Sequence, residues 1–380
     1  MGVRCTDGTR FQPVHGFAGE SQVRPPALWG RLSTCPTTRR AFTLIEMLTV
    51  IVIIGILASL ITAAAIHARN SVKITMIRKD VSDLQQALEA YKLKYGEYPP
   101  EFNTFGFAAV INPNSPQGVI RRTAVLRHLN AAFPEYYQRI TVLARAQKKD
   151  PFDIFAADIA TYAVHLGGRW RPLDVTTFDS ASSLLFWLGG LPEGKLVGGK
   201  LTGYIDLDAG EKWVPAGFHA DPANPFRPGQ PRREPLFNFA ADRIVPLEPT
   251  PDDSTQFRPL RYYPPGIDRT PYVYFRARRE AATGRFEYGA VVNNSFVCFS
   301  YIHGSNNLCV PYMDGPITAD RPWCEQQKYQ IITAGMDNVF GSIDATCYLR
   351  NLTTGDGISD ADFDNITSVA DGKLEDAMKQ

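Results

Sequence analysis

Residues 42–66, FTLIEMLTVIVIIGILASLITAAAI, constrain this chain more than any other stretch. A helix that is apolar all round must be buried in a large core or in lipid. At 1.5 Å per residue these residues span roughly 37 Å as a helix, against about 30 Å for the hydrocarbon core of a bilayer. The run also exceeds the roughly 7–15 apolar residues of a cleaved secretory signal. A membrane-crossing helix is therefore expected over 42–66. Glu46 is the one acid inside it. A carboxylate in hydrocarbon costs several kcal/mol unless it is paired, and the uncut chain supplies no charged partner within the run.

The flanks orient this helix. Arg4, Arg10, Arg24, Arg31, Arg39 and Arg40 precede it against only Asp7 and Glu20, a surplus of four positive charges. By the positive-inside rule the N-terminus lies in the cytoplasm, and everything beyond about residue 70 lies outside it. The whole chain carries a net charge of +1, which leaves no electrostatic footprint for nucleic acid. Hydrophobic residues make up 44% and charged ones 21%, so the remainder is expected to be globular rather than disordered.

Cysteines agree with export. Cys298, Cys309, Cys324 and Cys347 cluster in the last quarter, an even set suited to two disulfides of undetermined connectivity. The alternative, a metal site, lacks any C-x-x-C pair and has only His303 nearby.

Beyond the membrane run the helical pattern continues. Ile77, Val81, Leu84, Leu88, Tyr91 and Tyr95 recur in steps of four and three, which draws one apolar stripe along a helix. Lys79 with Asp83 and Glu89 with Lys92 are spaced as surface pairs. Gly96 followed by Pro99-Pro100 stops the helix. Residues 121–147 and 174–188 read as further helices. Thirteen of the twenty-eight prolines fall between Trp213 and Pro271, a density that predicts long loops with short strands. Residues 272–301 read as a hairpin turning near Thr283-Gly284, KYQIITAG (328–335) as a strand, and the tail from Gly341 as loop.

Catalytic signatures are weak. GGLPEGKL (189–196) imitates a phosphate loop, but Leu196 stands where Ser or Thr would hold magnesium, so a glycine-rich turn is expected. HGS at 303–305 lacks the frame of a nucleophile elbow. One acidic constellation has metal chemistry: Asp337 in TAGMDNVFG, with Asp356, Asp360, Asp362 and Asp364 in TTGDGISDADFDN. Calcium takes six to eight oxygen ligands from such loops, although the EF-hand register is absent. A solvated acidic loop is the alternative reading.

RR-A-FTLIE followed by an apolar run resembles the processing and assembly signal of type IV pilins and type II secretion pseudopilins. The resemblance implies that a prepilin peptidase cuts between Ala41 and Phe42 and leaves an N-methylphenylalanine. Glu46 then serves assembly by pairing with such an amine, four residues away in its own helix or on a neighbouring subunit. Here Ala41 stands where glycine is usual. DVSDLQQALEAYKLKYGEYP (80–99) looks like the helix and exit of the major, G-type pseudopilins, and AGMDN…DADFDNIT like their calcium loop, with Asp337, Asp360, Asp362 and Asp364 as ligands. The link between its halves is longer than usual. LLFWLGGL and GFHADPANPF resemble enlarged prepilin-like proteins of planctomycete-type bacteria. Pilin membrane helices often carry proline where this chain has Ala63, so an unbroken helix is expected there.

The expected fold class is α+β: a long N-terminal transmembrane helix that continues into a head with antiparallel β-sheet and extended Pro-rich loops. Residues 1–41 are the leader, 42–66 the membrane helix, 67–98 its amphipathic continuation, and 101–380 the head. The expected function is a non-enzymatic structural subunit of a type II secretion pseudopilus or type IV pilus-like filament. Its partners are prepilin peptidase, other pilin-type subunits, the assembly platform and the inner membrane, and its head is periplasmic or on an extracellular filament. A monomeric membrane-anchored binding protein, or an anchored enzyme, is the alternative.

Overall fold

The computed structural model describes residues 42–102, 115–246, 260–267, 269–280, 284–293, 295–302, 307–315, 321–341, 350–352, 358–370 and 373–375. Helix α1 runs Leu44–Tyr95 and is unbroken at Ala63, as the absence of proline there predicts. The chain divides into two compact units, Met1–Leu60 and Ile61–Gln380. In the first, the side chains of residues 42–60 are all exposed. In the second, Ile77, Val81, Leu84, Leu88 and Tyr91 are buried and Tyr95 is half-buried, so the predicted stripe is the face that seats on the head.

Burying each of these side chains contributes about 1.5–3 kcal/mol. The surface pair Lys79–Asp83, 2.5 Å apart, adds only a few tenths. Hydrophobic seating therefore dominates, and polar ties set its register. Asp80 accepts hydrogen bonds from Arg243 and, at 3.2 Å, from Tyr272 Oη. Glu89 and Lys92 act through an aromatic ring rather than as a bare pair. Glu89 accepts from Tyr98 Oη at 2.8 Å, and Lys92 lies 4.6 Å over the Tyr98 ring.

Three short helices follow: α2 (Pro116–Ala132), α3 (Pro134–Gln147) and α4 (Pro151–Ile159). The single helix expected over 121–147 is thus two, and α4 was not expected. Each begins with proline at its first position, where the missing N–H costs nothing; Ser115 and Asp150, the residues before two of these prolines, are extended. Ser115 and Asp150 cap α2 and α4 through their side chains. The helix expected over 174–188 is also corrected. Asp174 and Asp179 each accept from backbone N–H groups two residues on, at 2.8 and 3.0 Å, and so pull the chain into turns. What remains is a 3₁₀ turn at Val175–Thr177 and a buried π-helical turn at Leu185–Gly189.

Two sheets carry the head. The first has strands β1 (Tyr162–Leu166), β2 (Arg169–Pro172), β3 (Lys195–Val197) and β4 (Lys200–Asp206) in the order β2-β1-β4-β3, with β1 and β4 parallel. The second joins Ile366–Thr367, Tyr329–Thr333 and Val273–Arg276 in antiparallel pairs. Its alternation separates two cores. Tyr274, Tyr329 and Ile331 face the cluster that holds the α1 stripe, while Val273, Phe275 and Ile332 face a cluster with Tyr312, Trp323 and Phe340. The expected strand 328–335 is present. The 272–301 region forms the pair Arg278–Arg279 with Phe286–Glu287, then Gly289–Val292 with Ser295–Cys298. Between Trp213 and Pro271 the described strands are three residues each, Ile244–Pro246 and Leu260–Tyr262.

Candidate functional site

The start of α1 is organised by one residue pair. Thr43 precedes the helix, and its backbone N–H and hydroxyl donate to Glu46 Oε2 at 2.8 and 2.9 Å. In return the Glu46 N–H donates to Thr43 Oγ1 at 3.3 Å. This is a reciprocal capping box, which satisfies donors at a helix end that lacks intrahelical acceptors. Glu46 therefore has a hydrogen-bond partner in its own segment, but Thr43 is neutral and is not the charged partner that the run lacks. The T-x-x-E spacing at 43–46 was the signal for it. Phe42, one turn before Glu46, is 70% exposed. Ala41 and the rest of the leader lie outside the described residues.

This local geometry places an acid at the positive end of a helix dipole, one turn from the backbone nitrogen of Phe42. The helix that follows is long and apolar enough to cross a membrane. Residues 37–62, which bracket the cap and the first turns, match the family described as prokaryotic N-terminal methylation motif. This N-terminal segment is that of the type IV pilin and pseudopilin family. Over 58 residues it is 40% identical to the type II secretion system core protein G of Pseudomonas aeruginosa, covering 15% of this chain and 41% of that protein. The core protein G of Klebsiella michiganensis is 39% identical over 62 residues, 16% of this chain and 44% of its own length. That of Pectobacterium carotovorum is 38% identical over 61 residues, 16% and 39% respectively. The chain thus matches less than half the length of these curated relatives. No solved structure matches it.

Helix α1 ends where the chain enters the head, and that junction is built from polar groups. Gly96 takes φ +84°, which only glycine adopts cheaply, and its N–H closes the helix on Lys92 O at 2.8 Å. Beyond it Pro99 and Pro100 offer carbonyls to Tyr274 Oη and Trp187 Nε1, at 2.8 and 2.9 Å. The intervening Glu97 receives His128 Nδ1 at 2.8 Å and Arg276 at 2.8 Å. Burial alone would raise the Glu97 carboxyl, but His128 and Arg276 outweigh it and hold it below the usual range. His128, itself buried, is pushed down by desolvation against the pull of Glu97. Sequence reasoning found the exit turn and missed this network, because His128 lies on another helix with no spacing to Glu97.

The acidic candidates are placed unequally. Gly335 lets the chain close over Asp364, since a Cβ there would meet Asp364 Cγ at 2.2 Å. Asp364 Oδ2 accepts from the Met336 and Asp337 N–H groups at 2.6 and 3.3 Å. Burial, and then the Asp364 charge, push the Asp337 carboxyl up. Asp362 is buried and engaged, accepting from Ser359 Oγ at 2.6 Å, Ser359 N–H at 2.8 Å and Tyr312 Oη at 3.2 Å. Asp360 is exposed on the 3₁₀ turn Asp360–Asp362. Asp337 and Asp364 are thus brought together, while Asp362 faces Ser359 and Tyr312.

Among the described residues, no three Asp, Glu, His or Cys side chains converge as a metal group. Three buried oxygens nonetheless lack hydrogen bonds: Asp364 Oδ1, Asn338 Oδ1 and Asn365 Oδ1. All are hard acceptors, the donor chemistry calcium takes: Asn338 follows Asp337 in sequence, Asp364 meets it in space, and Asn365 follows Asp364. The amide oxygens were missed in sequence, where only carboxylates were counted. Cys298 and Cys309 are buried in the second core and Cys324 is half-buried, its thiol pushed up to about 12 by burial. No disulfide joins any two of these three, and Cys347 lies outside the described residues, as does His303. In the imitation phosphate loop, Lys195 pairs with both Glu211 oxygens at 2.7 Å, as a turn would have it.

Proposed function

We propose that the protein is a structural, non-enzymatic subunit of a type II secretion pseudopilus or type IV pilus-like filament. The observation that carries this reading is the methylation motif at 37–62 coinciding with a capped helix start whose later turns plug into a head. In this reading the precursor inserts in the inner membrane with Arg39 and Arg40 in the cytoplasm. Prepilin peptidase cuts between Ala41 and Phe42. The new amine, positively charged unless fully deprotonated, exchanges with Thr43 for the Glu46 carboxylate, within one subunit or between neighbours on the assembly platform. The head stands in the periplasm or on the filament surface. Mass spectrometry of the mature chain tests it: an N-terminal methyl-Phe42 is expected, and an intact leader in fractionated cells sinks it. The same experiment rejects a merely anchored binding protein or enzyme when methyl-Phe42 is found.

A structural calcium ion belongs to this proposal, favoured by the orphaned oxygens of Asn338, Asp364 and Asn365 on the two segments that meet at Asp337 and Asp364. Asp337 and Asn338 from one half of the loop, with Asp364 and Asn365 from the other, would hold it. Asp360 is exposed and would approach from the same half as Asp364, whereas Asp362 would first have to leave Ser359 or Tyr312. The ion would neutralise Asp337 and Asp364 and pin residues 335–340 to 358–366. Because Cys298, Cys309 and Cys324 are not joined to one another, the expected two disulfides reduce in this reading to a single bridge from Cys347 to one of them in the oxidising exterior.

A further inference from the structure

The first sheet of the head carries an aromatic surface that the filament reading does not use. Register places His165 opposite Trp170 on β2 and opposite Asp206 on β4, so all three share one face. The two-residue period adds Tyr204. The other face is the core side, with Tyr162 and Val164 fully buried. On the outer face the Trp170 ring lies 4.9 Å from His165 and 5.0 Å from Tyr204, at 33° and 34°. Trp170 is 48% exposed. Cross-strand aromatic pairing contributes about 0.2–1 kcal/mol to such a sheet, which accounts for the stack but not for its surroundings.

Those surroundings are polar and fixed. His165 Nδ1 is 2.9 Å from Asp206 Oδ1 and 3.5 Å from Asp208 Oδ2. Asp208 is held by the Gly167 and Gly168 N–H groups at 3.1 and 2.7 Å. Glu211 accepts from the Asp206 N–H at 2.7 Å and pairs with Lys195. The half-exposed Trp170 ring, tilted against its two aromatic neighbours, is thus bordered by pre-set acceptors and one imidazole, so little ordering cost remains for a ligand.

We propose that this face binds a saccharide, one pyranose ring stacking its C–H face on Trp170 and Tyr204 while its hydroxyls bond to Asp206, Asp208 and His165. A pyranose is apolar on its faces and ringed by hydroxyls at its edge, which matches an amphipathic ring platform with carboxylates at its border. Nucleic acid is disfavoured, because Asp206, Asp208 and Glu211 repel phosphates. The proposal stands whether or not the chain assembles into filaments.

Saturation-transfer NMR on the full chain in a zwitterionic, sugar-free detergent tests it, with the β-1,4-linked hexasaccharides of glucose and of N-acetylglucosamine as probes. Transfer to the pyranose ring protons of at least one probe is expected in the wild type. It should fall at least tenfold in Trp170→Ala, survive in part in Trp170→Phe, and weaken in Asp206→Asn, whose shape is unchanged. Circular dichroism checks that each variant is folded, and Asp206→Asn carries the test if Trp170→Ala is not. No transfer to either probe overturns the proposal, as does equal transfer in the wild type and both Trp170→Phe and Asp206→Asn. Transfer to choline alone overturns it in favour of a cation–aromatic site.

Discussion

The Tyr91 hydroxyl lies 2.8 Å from His128 Nε2, and the opposite nitrogen of that ring lies 2.8 Å from Glu97 Oε1, so one imidazole joins α1, α2 and the exit turn. With the ring neutral, Tyr91 donates to Nε2 and Nδ1–H donates to Glu97. His128→Ala strands two buried or half-buried partners at once, and a loss of about 3 kcal/mol in unfolding free energy is expected. Tyr91→Phe strands only one nitrogen and should cost about 1–2 kcal/mol. The double variant should cost less than the sum, since the three groups form one network. Urea unfolding of the four proteins checks the order, and equal stability of His128→Ala and wild type refutes the tie.

Glu101 is buried at the same junction, and its carboxyl is pushed up to about 7 by burial, against the opposing pull of hydrogen bonds, Arg276 and Arg278. Its folded value exceeds the unfolded one, so the folded state binds the proton more tightly. Stability from this group is complete below about pH 4.5, declines as pH rises, and is lost above about pH 7. Glu101→Gln should match the wild type near pH 4 and exceed it at pH 8 by on the order of 3 kcal/mol. Urea melts at both values decide it, and a pH-independent difference contradicts the assignment. Glu97 opposes this trend in acid, because a carboxyl held low contributes stability that disappears as pH falls.

How far the sequence could be read follows from which interactions are local. The α1 stripe was legible because Ile77 to Tyr91 repeat at helical period on one continuous element. The strand at Tyr329–Thr333 was legible from its short β-branched run, although all five residues are buried and no alternation of buried and exposed positions marks its faces. The split at Phe133-Pro134 could have been read from Pro134 alone, and was masked by the apolar pattern running through it. His128 meeting Glu97, or Trp170 meeting Tyr204, depends on chain segments tens of residues apart, and no local spacing encodes such contacts. The acidic loop was half legible: its carboxylates stand out in sequence, but which of them turn inward is decided by Ser359, Tyr312 and the missing Cβ of Gly335, whose place Asp364 fills.

That difference separates the roles of two aspartates four residues or fewer from one another in the same loop. Asp362 stabilises the fold directly through Ser359 and Tyr312, so Asp362→Ala should lower the melting temperature with or without calcium. Asp364 faces Asp337 and has one orphaned oxygen. Chelator should lower the melting temperature of the wild type, and Asp364→Ala should abolish that response. A wild type indifferent to both chelator and added calcium removes the ion from the reading.

Thr43 and Glu46 make the last pair to be tested. The capping box contributes about 1 kcal/mol to the helix start, so Thr43→Val should weaken the first turn while leaving the carboxylate in place for the amine. Glu46→Gln keeps the size and a hydrogen-bonding oxygen but removes the charge, and Glu46→Ala removes both. If the carboxylate serves an amine on Phe42, filament yield should collapse in both Glu46 variants, whereas Thr43→Val should retain assembly. Membrane insertion should be undiminished in Glu46→Ala, because deleting a carboxylate from the apolar run lowers the cost of burial by roughly 2.5–3.5 kcal/mol. Shear-released filaments measured by immunoblot, alongside the membrane fraction, read both quantities. Normal filaments from Glu46→Ala refute the assembly role, and equal loss in Thr43→Val assigns the effect to the helix cap instead of the charge.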